Sequence, residues 1–281
     1  MDAPNQLSWS ADHIARFWDY WSARNDAQET YFALQVGRGV AEFAEQVGPL
    51  DGQKVLDFGS GPGHLVPHLL GRGARVSAVD HSPNSIAEAQ RRFGGQTGWE
   101  EARTFEGGKT TWEDNTFDVV FCLETIEHLH SADCVQIFDE IHRVLRPGGH
   151  AVFTTPHNED LQKSHVYCPS CNCEFHRWQH LRSWSDVQLQ NQLTHQGYDI
   201  AFCEGLNFHD FQPKEKLQFK LSSLRRWLRR QTLTRLDQFF PRSFPNQRQL
   251  QRRIRRSDRH HLAAVAKKPL TATGSLDAAA A

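Results

Sequence analysis

The sequence predicts an α/β fold, a mostly parallel sheet with helices on both faces, and three observations predict it. Lys54-Val55-Leu56-Asp57-Phe58 reads as a short buried strand running into Gly59-Ser60-Gly61-Pro62-Gly63, after which Leu65, Val66, Leu69 and Leu70 recur in a helix-like pattern. Strand, glycine turn and helix open a nucleotide-binding unit. Next, Arg75-Val76-Ser77-Ala78-Val79 is a second strand candidate ending in Asp80, where a carboxylate can accept hydrogen bonds from a ribose diol. Finally, strand-like and helix-like stretches keep alternating through Thr155, as a parallel sheet requires.

The elements follow in order. Residues 8–47 read as helical, because Trp9, Ile14, Phe17, Trp18 and Trp21 recur near helical spacing, as do Phe32, Val36, Val40 and Phe43. Two readings stand: these aromatics pack on the sheet, or residues 1–49 form a lid lined by Trp18, Tyr20, Tyr31 and Phe32. A third strand is expected to end at Thr104-Phe105-Glu106 and a fourth to span Thr116–Cys122. Leu145-Arg146-Pro147-Gly148-Gly149 leads into a fifth, His150–Thr154. Tyr198–Cys203 and His261–Ala266 are the sixth and last. The domain body thus runs over 50–270, with insertions at 157–185 and 208–259. The tail, 271–281, is small and polar-to-Ala and is expected to be disordered.

Composition narrows the class. Hydrophobic residues make up 38% of 281, enough for a real core. No apolar run approaches the ~20 residues of a membrane span. The N-terminus lacks the basic and apolar regions of a signal peptide, and six cysteines do not suggest a disulfide framework, so a cytoplasmic, reducing location is expected. The net charge of −1 hides an asymmetry: residues 207–270 hold 17 Lys+Arg against 4 Asp+Glu. An acidic body with a basic C-terminal segment points to an anionic partner.

The glycine motif, the Thr116–Cys122 strand with Glu124-Thr125-Ile126-Glu127-His128-Leu129 after it, and the Leu145–Thr154 stretch together resemble the class I S-adenosylmethionine-dependent methyltransferases, over roughly residues 50–205. The resemblance implies a Rossmann-like, seven-stranded sheet whose last two strands pair antiparallel at one edge, and S-adenosylmethionine as cofactor. It implies that Asp57, Gly59, Gly61 and Gly63 surround the methionine part, that Asp80 binds the ribose, and that His81 flanks the adenine. Leu123 and Glu124 are expected near the sulfonium. Glu106 is the candidate for the adenine amine, although Gly107–Trp112 departs from the family pattern. The bland alternative makes Asp57 and Asp80 turn or helix caps.

Glu124, Glu127 and His128 fall at i, i+3 and i+4 and can share one face of a helical turn. Three readings compete. The segment shapes the methionine pocket; or His128, with Glu127 beside it, is a general base for a hydroxyl proton; or two carboxylates and an imidazole, completed by a downstream histidine, hold a divalent ion. The third arrangement resembles the small-RNA 2′-O-methyltransferases, and the His180–Ser185 stretch loosely matches their second histidine region.

Cys168-Pro169-Ser170-Cys171, with His176 and His180, gives C-x2-C-x4-H-x3-H, a donor set suited to structural zinc. Cys173 or His165 could replace one ligand. The alternatives are an unligated loop and a redox pair. His180 cannot easily serve both this site and the carboxylate–histidine site.

In the second insertion, Leu217, Leu221, Leu224 and Leu228 form a stripe, with Arg225, Arg226, Arg229 and Arg230 largely elsewhere around the helix and a second basic cluster at 248–256. Residues 217–256 are read as a solvated face on the domain, as a contact with an anionic membrane surface, or, less favoured, as a nucleic-acid contact. The pattern Trp18-Asp19-Tyr20-Trp21, Tyr31-Phe32, Gln35-Val36-Gly37 and the Cys-Pro-x-Cys/Phe-His segment also resembles bacterial methyltransferases of surface glycan or glycolipid assembly. The expectation is therefore O-methylation of a small-molecule, glycan or lipid-linked acceptor by a cytoplasmic enzyme peripheral to the inner membrane face. The alternatives are an RNA 2′-O-methyltransferase using Glu124, Glu127 and His128, and a non-catalytic cofactor-binding subunit.

Overall fold

The structure, a computed structural model, describes residues 3–22, 24, 31–212 and 260–270. In chain order the elements are β1 (Asn5–Gln6), α1 (Ala11–Ser22), α2 (Phe32–Val47), β2 (Lys54–Phe58), α3 (Val66–Leu70), β3 (Arg75–Asp80), α4 (Pro83–Phe93), β4 (Trp99–Thr104), β5 (Phe117–Leu123), α5 (Ser131–Val144), β6 (Leu145–Pro156), β7 (His165–Cys168), β8 (Cys173–His176), α6 (Asp186–His195), β9 (Asp199–Leu206) and β10 (His261–Lys267). Seven strands form one sheet in the order β4-β3-β2-β5-β6-β10-β9. The first five run parallel, and β10 pairs antiparallel with both β6 and β9.

The central strands are apolar on both faces because helices cover both. Along β5 the side chains alternate. Val119 and Phe121 pack with α2, α3 and α4, whereas Val120 and Cys122 pack with α5 and α6. The chain leaves β2 toward β3 on one side and has β5 on the other. That reversal opens a crevice at the carboxyl ends of the strands, where ligands bind in open α/β sheets.

The two readings of the N-terminal aromatics divide between the two helices. α2 belongs to the core: Val36, Val40 and Phe43 are fully buried, and Phe43 packs edge-on to Phe208 and Phe211. α1 buries no residue completely and lies over the crevice. The first insertion is a β7–β8 hairpin, and β1 adds to it in parallel, pairing Asn5 with Cys173 and Gln6 with Glu174. Trp9 packs edge-on to Phe175, so α1 and the insertion form one cap, a union that the sequence reading did not foresee. The third strand ends at Thr104, two residues before Glu106. Most of the basic insertion, including all of 217–256, and the 271–281 tail lie outside the described residues.

Candidate functional site

The crevice under α1 is a cavity of ≈ 670 Å³. Its floor is the β2 tip and the glycine turn. Gly59 sits at φ +74, its N–H donates to Val79 O at 2.8 Å, and a Cβ there would meet Thr125 Oγ1 at 2.5 Å. Gly59 and Gly61 line the cavity, whereas Gly63 lies outside it. Gly63 is required instead by its φ of +79 and by Phe93, which a Cβ would meet at 2.7 Å. The third glycine therefore serves packing, a correction to its assignment beside the cofactor.

Asp57 is buried at the β2 tip, lines the cavity, and leaves its Oδ2 without a partner. Burial, with the charge of Asp80 second, pushes its carboxyl up to about 7. Asp80 accepts from the backbone N–H of Gly61 at 2.8 Å and of Ser82 at 2.9 Å, so it braces the turn as well as facing the cavity. His81, Glu106, Leu123 and Glu124 also line the space. These residues fit S-adenosylmethionine: a buried carboxylate oxygen lacks a partner, and a glycine-backed surface offers close approach. Sequence reasoning missed His64. It is buried, both ring nitrogens lack partners, and burial, then Arg92, hold it down at about 4. Its place directly after Gly63 was the only signal. Among the expected lid residues, Trp18, Tyr31 and Phe32 line the cavity. Tyr20 does not; it is 55% exposed.

The opposite wall is the turn after β5. Glu124 adopts φ +43, unusual for a side-chain-bearing residue. Its Oε2 lies 3.8 Å from His261 Nδ1. Glu127 and His128 sit on a single 3-10 turn, both buried. Burial, with Glu124 next, pushes the Glu127 carboxyl well up; its Oε1 lies 3.8 Å from His128 Nε2, beyond hydrogen-bond distance. Burial, then the neighbouring His180, pushes His128 well down, so it is a neutral imidazole. Its ring lies 4.7 Å from Trp18 and 4.8 Å from His180. Gln179, at φ +62 and fully buried, donates to His128 O at 2.9 Å and accepts from Trp18 Nε1 at 2.9 Å. It thus clasps α1 to the turn.

The hairpin corrects the zinc assignment. Cys168 pairs with Cys173 at one end and His176 with His165 at the other. Three residues of strand separate the two ends by about 10 Å, so Cys168 and Cys171 do not converge with His176 and His180. Both histidines instead meet Glu159: His180 Nδ1 at 2.5 Å from Oε2, and His176 Nε2 at 3.3 Å from Oε1. Two hydrogen bonds from these rings outweigh burial and hold Glu159 at about 2. Among the described residues, the groups of three or more ligand side chains within 4.8 Å are Glu127–His128–His180 and Glu159–His176–His180. Glu124 is in neither.

Residues 56–153 match a family model described as a methyltransferase domain. The chain is similar to ubiquinone biosynthesis O-methyltransferases. It is 36% identical over 112 residues to that of Pseudomonas syringae pv. tomato, covering 38% of this chain and 45% of the relative. It is 30% identical over 146 residues to that of Xylella fastidiosa, covering 51% and 57%. The chain thus spans about half the length of the curated relatives it matches. Among solved structures it is similar to the [4+2]-cyclase SpnF (TM-score 0.57, 15% identity, 95% of this chain and 99% of that one). It is also similar to 1,6-didemethyltoxoflavin-N1-methyltransferase of Burkholderia thailandensis, solved with S-adenosylhomocysteine (TM-score 0.54, 16% identity, 95% and 94%). At these identities the likeness is one of fold, and fold alone does not select a reaction. The glycine turn, the two aspartates and the seven-stranded order give the chain the fold of the class I S-adenosylmethionine-dependent methyltransferases, and residues 56–153 match a methyltransferase domain within it.

Proposed function

We propose that this protein transfers the methyl group of S-adenosylmethionine to an oxygen of a small-molecule, glycan or lipid-linked acceptor. The observation that carries the reading is one continuous cavity with two unlike walls: Asp57, Gly61 and Asp80 on the cofactor side, Glu127, His128 and His180 across from them. The names of the O-methyltransferase relatives support oxygen as the acceptor atom. S-adenosylmethionine supplies an electrophilic methyl carbon: the O–C bond forms as the C–S bond breaks, with its electron pair returning to sulfur. The protein aligns the acceptor and keeps water out with Trp18 and Trp21. The acceptor's hydroxyl proton leaves toward the wall that holds His128, whose neutral ring is competent as proton acceptor or as metal ligand. An apolar acceptor fits the aromatic cap, and the basic segment at 217–256 would bring such an enzyme to an anionic surface.

The test uses radiolabelled S-adenosylmethionine with a cell extract split into lipid, glycan, small-molecule, RNA and protein fractions. Alkali-stable label in one of the first three is expected. Label confined to RNA or protein would overturn the acceptor class, and no label in any fraction would overturn the activity. His128→Ala is expected to lower turnover by about 100-fold while S-adenosylhomocysteine still binds.

A further inference from the structure

Among the described residues that line the cavity there is no lysine or arginine, whereas Asp57, Asp80, Glu106, Glu124, Glu127 and Asp133 are all carboxylates. Such a lining suits the sulfonium and the ammonium of S-adenosylmethionine. The cofactor also carries an α-carboxylate, and a buried anion needs donors or an opposite charge. Four histidines line the space: His64, His81, His128 and His180. His81 faces Asp80, its Nδ1 3.4 Å from Oδ1. His180 Nδ1 meets Glu159, and His128 lies beside His180 on the wall across from the glycine turn. His64 remains.

His64 is 4% exposed, and neither of its ring nitrogens has a hydrogen-bond partner. A neutral imidazole carries one donor and one acceptor, and leaving both buried and unpaired is costly. The residue directly follows Gly63, so it belongs to the turn expected against the methionine part of the cofactor. Two neighbours favour an anion there. Arg92 donates to Pro62 O at 2.8 Å, and its charge, after burial, holds the His64 ring down at about 4; Glu88 opposes it more weakly. A positive field that repels a proton attracts a carboxylate. Tyr31 lies over the turn: its ring centre is 5.0 Å from that of His64, and a Cβ on Gly61 would meet its Cε1 at 3.3 Å. Burial, then Asp80, pushes the Tyr31 phenol up to about 12, so it keeps a proton to donate. Both His64 nitrogens are closed to solvent, so a ligand reaches them as the Tyr31 ring gives way.

We propose that His64 binds the α-carboxylate of S-adenosylmethionine through a ring N–H, with the Tyr31 hydroxyl as a second donor. This role for His64 rests on the methyltransferase reading and goes beyond it, since an imidazole and a phenol stand where a cationic side chain would otherwise meet the carboxylate. Neutral donors hold the carboxylate without placing a fixed positive charge in the same cavity as the sulfonium, which the acidic lining attracts.

The experiment is calorimetric titration of the full chain, at neutral pH, with S-adenosylhomocysteine and with its decarboxylated analogue, 5′-(3-aminopropylthio)-5′-deoxyadenosine. The two ligands share the adenosine, the thioether and the amine and differ in the carboxylate. Wild type is expected to prefer S-adenosylhomocysteine by at least about 10-fold. His64→Phe fills the place of the ring without a nitrogen. It is expected to lose that factor for S-adenosylhomocysteine and to change by less than about 2-fold for the analogue. His64→Gln, which keeps an N–H donor, is expected to retain a preference of about 3-fold or more, and Tyr31→Phe to lose about 3-fold for S-adenosylhomocysteine alone. Circular dichroism shows that each variant is folded, and His64→Ala gives the same comparison should the larger ring not be accommodated. Equal affinity of the wild type for the two ligands, equal losses for both ligands on removing the imidazole, or an undiminished preference without it would overturn the proposal. No binding of either ligand by the wild type would overturn the methyltransferase reading itself, which is a different result.

Discussion

Asp57 carries the clearest titration in the cofactor site. Its folded-state value of about 7 lies above its ordinary 3.8, because burial disfavours the charge and Asp80 adds to the effect. Between about pH 4 and 7 the folded chain holds a proton that the unfolded chain has released. Asp57 therefore contributes stability in full below pH ~4, and that contribution is lost as pH rises through 7, by up to roughly 4 kcal/mol. His64 and His150, both held at about 4, act with the opposite sign over nearly the same range. The measurement is therefore a difference: urea unfolding of wild type and Asp57→Asn across pH 4–8. Relative to the variant, the wild type is expected to lose stability as pH rises. Because S-adenosylmethionine is cationic at sulfur, its affinity is expected to rise over the same range in the wild type and stay flatter in Asp57→Asn. At the neighbouring turn, Gly59→Ala would place a methyl 2.5 Å from Thr125 Oγ1 in a left-handed backbone. A loss of at least 10-fold in S-adenosylhomocysteine affinity is expected by calorimetry.

At the scale of elements, the cap separates binding from stability. α1 is fastened by Trp18 to Gln179 and by Ser82 Oγ, which donates to Asp19 at 2.8 Å, rather than by a buried apolar face. Trp18→Ala is expected to weaken S-adenosylhomocysteine binding by about 10-fold, with a change of under about 1 kcal/mol in unfolding free energy. α5 behaves in the opposite way. Glu140 accepts from the backbone and hydroxyl of Thr110 and pairs with Arg143, which also donates to Trp112 O. This network holds the loop after Glu106, the stretch whose sequence departs from the family pattern. Glu140→Ala would leave Arg143 with a lost partner in a largely buried setting, and a loss of about 3 kcal/mol is expected in urea titration.

Across the whole molecule, charge is segregated. The 207–270 stretch has a net charge of +13 in a chain of net −1, so the remainder carries −14. Among the described residues no helix is long and apolar enough to cross a membrane. Cosedimentation of the full chain with phosphatidylglycerol vesicles is expected at low salt, with release as salt screens the contact. Neutral phosphatidylcholine vesicles are expected to leave it in solution. Binding that ignores salt and lipid charge would remove the basis for an anionic partner.

The seven-stranded sheet, its antiparallel edge and the placement of Asp57, Gly59, Gly61 and Asp80 about the cofactor came with the resemblance to a known family, whereas the α/β class and the strand, glycine turn and helix were legible through local rules: apolar runs, glycine at positive φ, and a carboxylate at a strand tip. Those rules act over a few residues. Convergence of distant segments was not legible. C-x2-C-x4-H-x3-H reads as one ligand set along the chain, yet strand pairing put the thiols and the imidazoles at opposite ends of a hairpin. Glu159 carried no motif and became the partner of both histidines. Glu124, Glu127 and His128 share a helical spacing, but a 3-10 turn and a left-handed Glu124 sent the first toward His261 and the other two toward His180. The spacing of donors belongs to the sequence alone; their meeting point was decided by backbone register and packing, which bring residues more than fifty positions apart into contact.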